Sequence, residues 1–155
     1  MAIDWIEPST EADWGDARRL VEEYAGSLEV DLSFQDFPRE VEHLADEYGP
    51  PDGAFLLAVE AGRAVGCVGL RRLTRRDGEI KRLYVIPACR GRGLARELAQ
   101  RILAVARQRG YSRLLLDTLP SMQAAQSLYR SLGFRPTEAY RFNPVEGTAF
   151  MELKL

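Results

Sequence analysis

Histidine and cysteine are nearly missing from this sequence: one His (His43) and two Cys (Cys67 and Cys89) in 155 residues. A tetrahedral zinc site draws on several such side chains, so these counts argue against one, and no metal is expected. The cysteines show no framework spacing and no Cys-x-x-Cys pair, which argues against a disulfide scaffold or a dithiol redox centre. Both are expected as packed, free thiols. No apolar run approaches the roughly 20 residues of a membrane-spanning helix. Met1-Ala2-Ile3-Asp4-Trp5 lacks the basic and apolar regions of a signal peptide. A soluble, cytoplasmic protein with no membrane partner is therefore expected. Internal repeats, low-complexity tracts and long linkers are also missing, so residues 1–155 read as one domain.

What the sequence does have is unevenly spread charge. Apolar residues make up 46%, normal for a folded chain, and the net charge is −2. Residues 1–60 carry 16 Asp/Glu against 3 Lys/Arg, a net of −13. Residues 61–155 carry 7 against 18, a net of +11. The asymmetry points to an anionic partner for the basic part and a cationic one for the acidic part.

Hydrophobic spacing and turn residues give the element order β-α-α-β-β-β-α-β-α-β-β. A strand over 2–6 leads to Pro8-Ser9-Thr10, where Ser9 or Thr10 can cap a helix running to about residue 26. Residues 30–37 read as a loop carrying Phe34 and Phe37. Pro38 opens a second helix, with Val41, Leu44, Ala45 and Tyr48 on one face. Strands over 54–60, 64–73 and 79–86 follow, with turns at Ala61-Gly62-Arg63 and Asp77-Gly78. The spacing of Leu94, Leu98, Ile102 and Val105 predicts a helix over 91–109 that Gly110 stops. Leu114-Leu115-Leu116 marks a buried strand over 113–118. Ser121 caps a helix to Leu132, which Gly133 ends, and strands over 134–136 and 149–155 close the chain. The pattern predicts an α/β (α+β) fold with a mixed, mostly antiparallel sheet.

The segment most informative about chemistry runs from Glu79 to Ala95: a strand enters a turn with Gly91 and Gly93, and the turn opens a helix. Glycines there leave backbone N–H groups uncovered. Those donors, at a positive helix end, suit a phosphate or pyrophosphate, and Arg90 and Arg92 add charge. A Walker A loop needs Gly-Lys-Ser/Thr, and a dinucleotide fingerprint needs a third glycine where Arg96 stands; neither is present. Arg90-Gly-Arg-Gly93-Leu-Ala95 instead matches the Arg/Gln-x-x-Gly-x-Gly/Ala motif of the GCN5-related N-acetyltransferase (GNAT) family. Leu83-Tyr84-Val85-Ile86-Pro87 resembles that family's acetyl-coenzyme A strand, and Ala125-x-x-Leu128-Tyr129-x-x-x-Gly133-Phe134 resembles its second signature. With the element order, the resemblance covers essentially the whole chain.

The resemblance implies a GNAT fold, with helices on both faces of the sheet, splayed fourth and fifth strands, and acetyl-coenzyme A as cosubstrate. Main-chain groups of Leu83, Tyr84 and Val85 would line the pantetheine arm as an added strand does. The amides of Arg90, Gly91, Arg92, Gly93, Leu94 and Ala95 would take the pyrophosphate. The amide of Val85 or its neighbour would polarise the thioester carbonyl. Tyr129 is the candidate acid and Glu79 the candidate base, acting directly or through a water. Strand alternation puts Glu79, Lys81 and Leu83 on one face and Ile80, Arg82 and Tyr84 on the other, unless a bulge shifts the parity. Many relatives carry Asn where Met122 stands. The implied activity is acetyl transfer to a small-molecule or peptide primary amine by direct attack in a ternary complex. The alternative is a catalytically silent module that binds coenzyme A or an acyl thioester. Acidic Glu22, Glu23, Glu29, Asp31 and Asp36 could draw a cationic amine toward Glu79. No nucleic-acid partner is expected, because the basic part lacks interleaved aromatics and a known binding motif. A monomer or homodimer is expected.

Overall fold

The computed structural model describes residues 2–28, 30–32 and 36–155. Glu29 and Phe34, both named above, lie outside these residues. The elements run β1 (Ile3–Ile6), α1 (Glu11–Ser27), α2 (Phe37–Glu42), α3 (Leu44–Tyr48), β2 (Ala54–Glu60), β3 (Arg63–Arg72), β4 (Asp77–Val85), α4 (Leu94–Gln108), β5 (Arg113–Thr118), α5 (Gln123–Ser131), β6 (Arg135–Pro136) and β7 (Ala149–Lys154). One seven-stranded sheet, ordered β1-β2-β3-β4-β5-β7-β6, holds them together. Every neighbouring pair is antiparallel except β4 and β5.

Helices cover both faces. A side chain at Gly69 of β3 would collide with Tyr48 of α3, and one at Gly66 would press on Leu98 of α4. Glycine at both positions lets the helices approach the strand closely. α4 buries Leu94, Leu98, Ala99, Ile102, Leu103 and Ala106 along one stripe. Each large apolar side chain so buried contributes about 1.5–3 kcal/mol. α1 buries Ala17, Leu20 and Val21. No helix among the described residues is long and apolar enough to cross a membrane.

Thr10, one of the two expected caps, opens α1. Its hydroxyl accepts from the Asp13 N–H (3.1 Å), and the Asp13 carboxylate accepts from the Thr10 N–H (3.2 Å), a complete capping box. Other local expectations need correction. The second helix breaks at His43, whose φ of −129° and ψ of 37° are not helical, and Ala45 is exposed. Asp77 does not turn the chain but starts β4. The turn precedes it, closed by Leu73 and Thr74 N–H groups donating to the Asp77 carbonyl. Met122, not Ser121, occupies the start of α5 and makes no side-chain cap. α4 begins at Leu94, because Gly91 and Gly93 both hold φ near +79°.

Two features of β4 position the site. First, its parallel ladder with β5 covers only Asp77↔Arg113, Gly78↔Leu114 and Glu79↔Leu115. Beyond Glu79 the strands part, the splay that the resemblance implies. Second, the register with β3 slips between Lys81↔Gly69 and Tyr84↔Cys67. One residue of β3 there faces two of β4, a bulge centred on Arg82, whose φ is +61°. The bulge shifts the simple alternation. Arg82 now reaches Glu40 of α2 and Tyr84 reaches Glu23 of α1, so both join the face covered by α1, α2 and α3, on which Lys81 lies opposite Gly69.

Candidate active site

A groove of about 980 Å³ runs along the unpaired end of β4. It is bounded by Leu83, Tyr84 and Val85 on one wall, by Gly91, Gly93, Leu94 and Ala95 at one end, and by residues 119–125 opposite. Ile86 N–H donates to the Val65 carbonyl at 2.9 Å, so strand alternation turns the main-chain groups of Val85 away from β3 and toward the gap. Arg90 Nε donates to the Val85 carbonyl at 2.9 Å, and its guanidinium lies 5.6 Å from the centre of the Tyr84 ring. A cation is thus held against the groove wall. Tyr84 is fixed from the other side by its hydroxyl donating to Glu23 (2.6 Å).

The start of α4 carries no side-chain cap. The first intrahelical bond runs from Glu97 N–H to the Gly93 carbonyl (3.1 Å), so the N–H groups of Gly93, Leu94, Ala95 and Arg96 have no intrahelical partner. A side chain added at Gly91 or Gly93 would meet nothing within 4 Å; positive φ, not space, requires glycine there. An array of inward N–H donors at a positive helix end is a fit for a pyrophosphate. Arg92 contributes no side chain to it. Its guanidinium turns outward to Glu60, donating through one nitrogen at 3.2 Å and more closely through the other.

Where β4 and β5 part, a chamber of about 40 Å³ adjoins the groove and shares Tyr24, Leu28, Leu83, Leu119 and Met122 with it. Lys81 and Arg82 line it from β4, Asp117 and Thr118 from β5, and Tyr129 from α5. Tyr129 is buried against Phe134 (ring centroids 5.5 Å apart), and burial, followed by the nearby Tyr24 and Asp117, pushes its pKa upward. The hydroxyl therefore stays protonated at neutral pH. Met122 stands on the partition between groove and chamber, where its sulfur accepts from the Tyr24 hydroxyl at 3.9 Å. Asp117 accepts from Asn143 Nδ2 at 3.2 Å. Among the described residues, the buried Thr118 hydroxyl has no hydrogen-bond partner.

Glu79 sits elsewhere. It is fully buried, and neither groove nor chamber is lined by it. Its carboxylate takes Arg71 Nε (2.9 Å), an Arg141 nitrogen (2.6 Å) and the Tyr140 hydroxyl (2.5 Å). Burial disfavours the anion, but the charges of Lys81, Arg141 and Arg71 outweigh it, and the pKa falls below the ordinary 4.5. A carboxylate so occupied and so acidic is a poor proton acceptor. The physical role visible here is to tie β4 to β3 and to the connection before β7. Glu40 does the same for α2. It receives two bonds from Arg82 (2.8 and 2.9 Å) and one from Tyr48 (2.9 Å); burial works against its charged form, but Arg82 outweighs it and the pKa is lowered.

Lys81 stands between these carboxylates. Burial and the charge of Arg82 lower its pKa to about 7, with Glu79 opposing. Lys81, Asp117 and Thr118 were not singled out from sequence. The only signal was polar residues closing an otherwise apolar strand (Asp117-Thr118) and a lone lysine in β4.

The comparisons with known proteins agree with this fold. The Acetyltransferase (GNAT) family model matches residues 14–134. The chain is 39% identical over 145 residues to an uncharacterized N-acetyltransferase of Schizosaccharomyces pombe, covering 92% of this chain and 89% of that one. It is 39% identical over 87 residues to the N-acetylaspartate synthetase of Rattus norvegicus, covering 56% of this chain and 29% of that one. Among solved structures, an acetyltransferase of Streptococcus agalactiae superposes with a TM-score of 0.81 at 22% identity, covering 99% of this chain and 98% of that one. The PaiA N-acetyltransferase of Thermoplasma acidophilum, solved with coenzyme A, superposes with a TM-score of 0.77 at 17% identity over the whole of both chains. The chain belongs to the GNAT acetyltransferase family and is an N-acetyltransferase.

Proposed function

We propose that this protein moves the acetyl group of acetyl-coenzyme A to a primary amine by direct attack in a ternary complex. The observation that carries the reading is the continuity of three features. The β4–β5 ladder stops at Glu79, the freed edge of Leu83, Tyr84 and Val85 faces a groove, and that groove ends at the uncapped start of α4. In this reading the amides of residues 90–95 hold the pyrophosphate, and the freed edge pairs with the pantetheine arm. Arg92 takes part through its amide alone. Acetyl-coenzyme A supplies an activated acyl carbon as its thioester. The chain supplies an amide at Val85 or its neighbour for the carbonyl oxygen, and a protonated Tyr129 for the departing sulfur. Asp117, the carboxylate that lines the chamber, accepts the amine's proton directly or through a water.

The test is coenzyme A release over a panel of amines, with both substrates varied. Intersecting double-reciprocal lines are expected. Parallel lines would point to an acyl-enzyme and end the direct-attack reading. Tight acetyl-coenzyme A binding without acetylation of any amine would favour a silent binding module.

A further inference from the structure

The connection between β6 and β7 reaches both cavities of the site. Asn143 lines the chamber, and Val145, two residues on, lines the groove. This stretch is closed on itself. Asn143 Oδ1 accepts from the Val145 N–H (2.9 Å), and the Thr148 hydroxyl donates to the Val145 carbonyl (2.7 Å). The first of these bonds decides which way the Asn143 amide faces. Its oxygen is committed to the main chain, so its NH2 group is turned to Asp117 and donates to Oδ2 at 3.2 Å. The opposite orientation would set the NH2 group against an N–H and the oxygen against a carboxylate, so only one orientation satisfies both contacts.

Asp117 is the carboxylate to which the transfer reading assigns the amine's proton. Among the described residues Asn143 is the one hydrogen-bond donor to that carboxylate, and Oδ1 receives none. The surrounding charged and titratable groups come from several elements. Lys81 and Arg82 of β4, Tyr24 of α1 and Tyr129 of α5 line the same chamber. Burial first, and then the charge of Asp117 among other groups, raises the pKa values of Tyr24, Tyr129 and Tyr140. All three hydroxyls therefore stay protonated at neutral and mildly alkaline pH.

Resting on the transfer reading above, we propose that Asn143 is a positioning residue for acetyl transfer, holding Asp117 by Oδ2 so that Oδ1 is presented to the incoming amine. A carboxylate fixed through one oxygen keeps its rotation, and the other oxygen is left to receive a proton. The ammonium gives one proton to Oδ1 and becomes the nucleophile. Its nitrogen forms the N–C(acyl) bond, the C–S bond breaks, and the sulfur takes a proton from Tyr129. The tyrosine oxygen recovers a proton from the acylated nitrogen, and Asp117 returns its own to solvent.

The test separates the two bonds of Asn143. Asn143→Asp keeps an oxygen for the Val145 N–H but replaces the donor to Asp117 with a second carboxylate. It should lower kcat about tenfold or more near neutral pH, the size of one lost hydrogen bond to a charged group, while coenzyme A affinity by calorimetry is unchanged. Asn143→Ala, which adds no charge, should show a similar loss of kcat. In an Asp117→Asn background Asn143→Ala should cost nothing further, because it acts through that carboxylate. The deficit should also narrow between about pH 8 and about pH 9.5, as more of the amine arrives already deprotonated and needs no base. That interval lies above Lys81, which burial and then Arg82 lower to about 7, and below the three tyrosines. Wild-type kcat in Asn143→Asp, a deficit that ignores pH, or losses that add in full to that of Asp117→Asn would overturn the proposal and leave the base assignment standing. Undiminished kcat in Asp117→Asn would overturn the base assignment and this role together, with acetyl transfer intact. Coenzyme A binding with no amine acetylated by the wild type would overturn all three.

Discussion

The two halves of β4 are built for different purposes. From Asp77 to Glu79 the strand is paired on both edges, and the Glu79 side chain is bonded to three partners from two other segments. From Leu83 to Val85 one edge is open to a groove. Between them, the Arg82 bulge swings the chain from one regime to the other. Helix starts show the same contrast. α1 closes its free N–H groups with Thr10 and Asp13, whereas α4 leaves them open beside Gly93. Saturated polar groups hold the fold, and the unsaturated N–H groups at the start of α4 are left available. Removing groups of the first kind should cost stability, and disturbing the second should cost binding or turnover.

Glu79→Gln is the most severe way to probe the closed half. It leaves Arg71 and Arg141 facing a neutral amide in a buried site, and about 3–5 kcal/mol of unfolding free energy should be lost in denaturant titrations. Coenzyme A affinity of the folded fraction should hold. A variant of unchanged stability and no turnover would instead make Glu79 the base. Acid probes the same pairs. The folded pKa values of Glu40 and Glu79 lie below the ordinary 4.5. Their contribution is therefore fully present above about pH 4.5 and is lost as pH falls through the lower folded values. Thermal melts should show little dependence on these groups near neutrality and a decline below about pH 4.5.

On the open side, Tyr129→Phe should lower kcat about a hundredfold or more, the usual contribution of a general acid. Coenzyme A affinity measured by calorimetry should change little, and an unaltered kcat would remove Tyr129 from the chemistry. Gly93→Ala forces a side chain into left-handed φ, a strain of about 1–2 kcal/mol. It meets no neighbour, so that strain should appear as lost stability, and coenzyme A binding should weaken as well because the N–H groups beside it shift. Thr10→Ala at the other helix start should cost only about 1 kcal/mol, all of it in stability. If Gly93→Ala and Thr10→Ala behave alike, the distinction between an open and a closed helix start fails.

The expected element order survived because most of it is written in local pattern. The apolar stripe of α4 has helical period, and the glycine turn before it demands positive φ whatever surrounds it. Misreadings were local in another sense. Asp77-Gly78 has turn composition, but its hydrogen bonds made it a strand start, and Ser121 has cap chemistry one residue too early. The groove along β4 was legible through Leu83-Tyr84-Val85 and the glycine turn after it. The chamber was not. Glu79 has a carboxylate's credentials at a plausible spacing, yet its partners Tyr140 and Arg141 lie 61 and 62 residues away and occupy it.

By itself, then, the sequence determined the strands, the helices, the glycine turn that opens α4 and the family they imply. These depend on periodicity and on single-residue backbone freedom, which act over a few residues. The tertiary structure alone decided which charges neutralise one another. Arg82 finds Glu40 across 42 positions, Arg92 finds Glu60 across 32, and Asp117 comes to face Lys81 only because two parallel strands part after three paired residues. Such meetings are set by sheet register and by the bulge that turns Arg82, and no window of sequence contains both partners. The division of charge at residue 60 shows the result. Part of the acidic segment is consumed within the fold, by Arg18, Arg82, Tyr84 and Arg92.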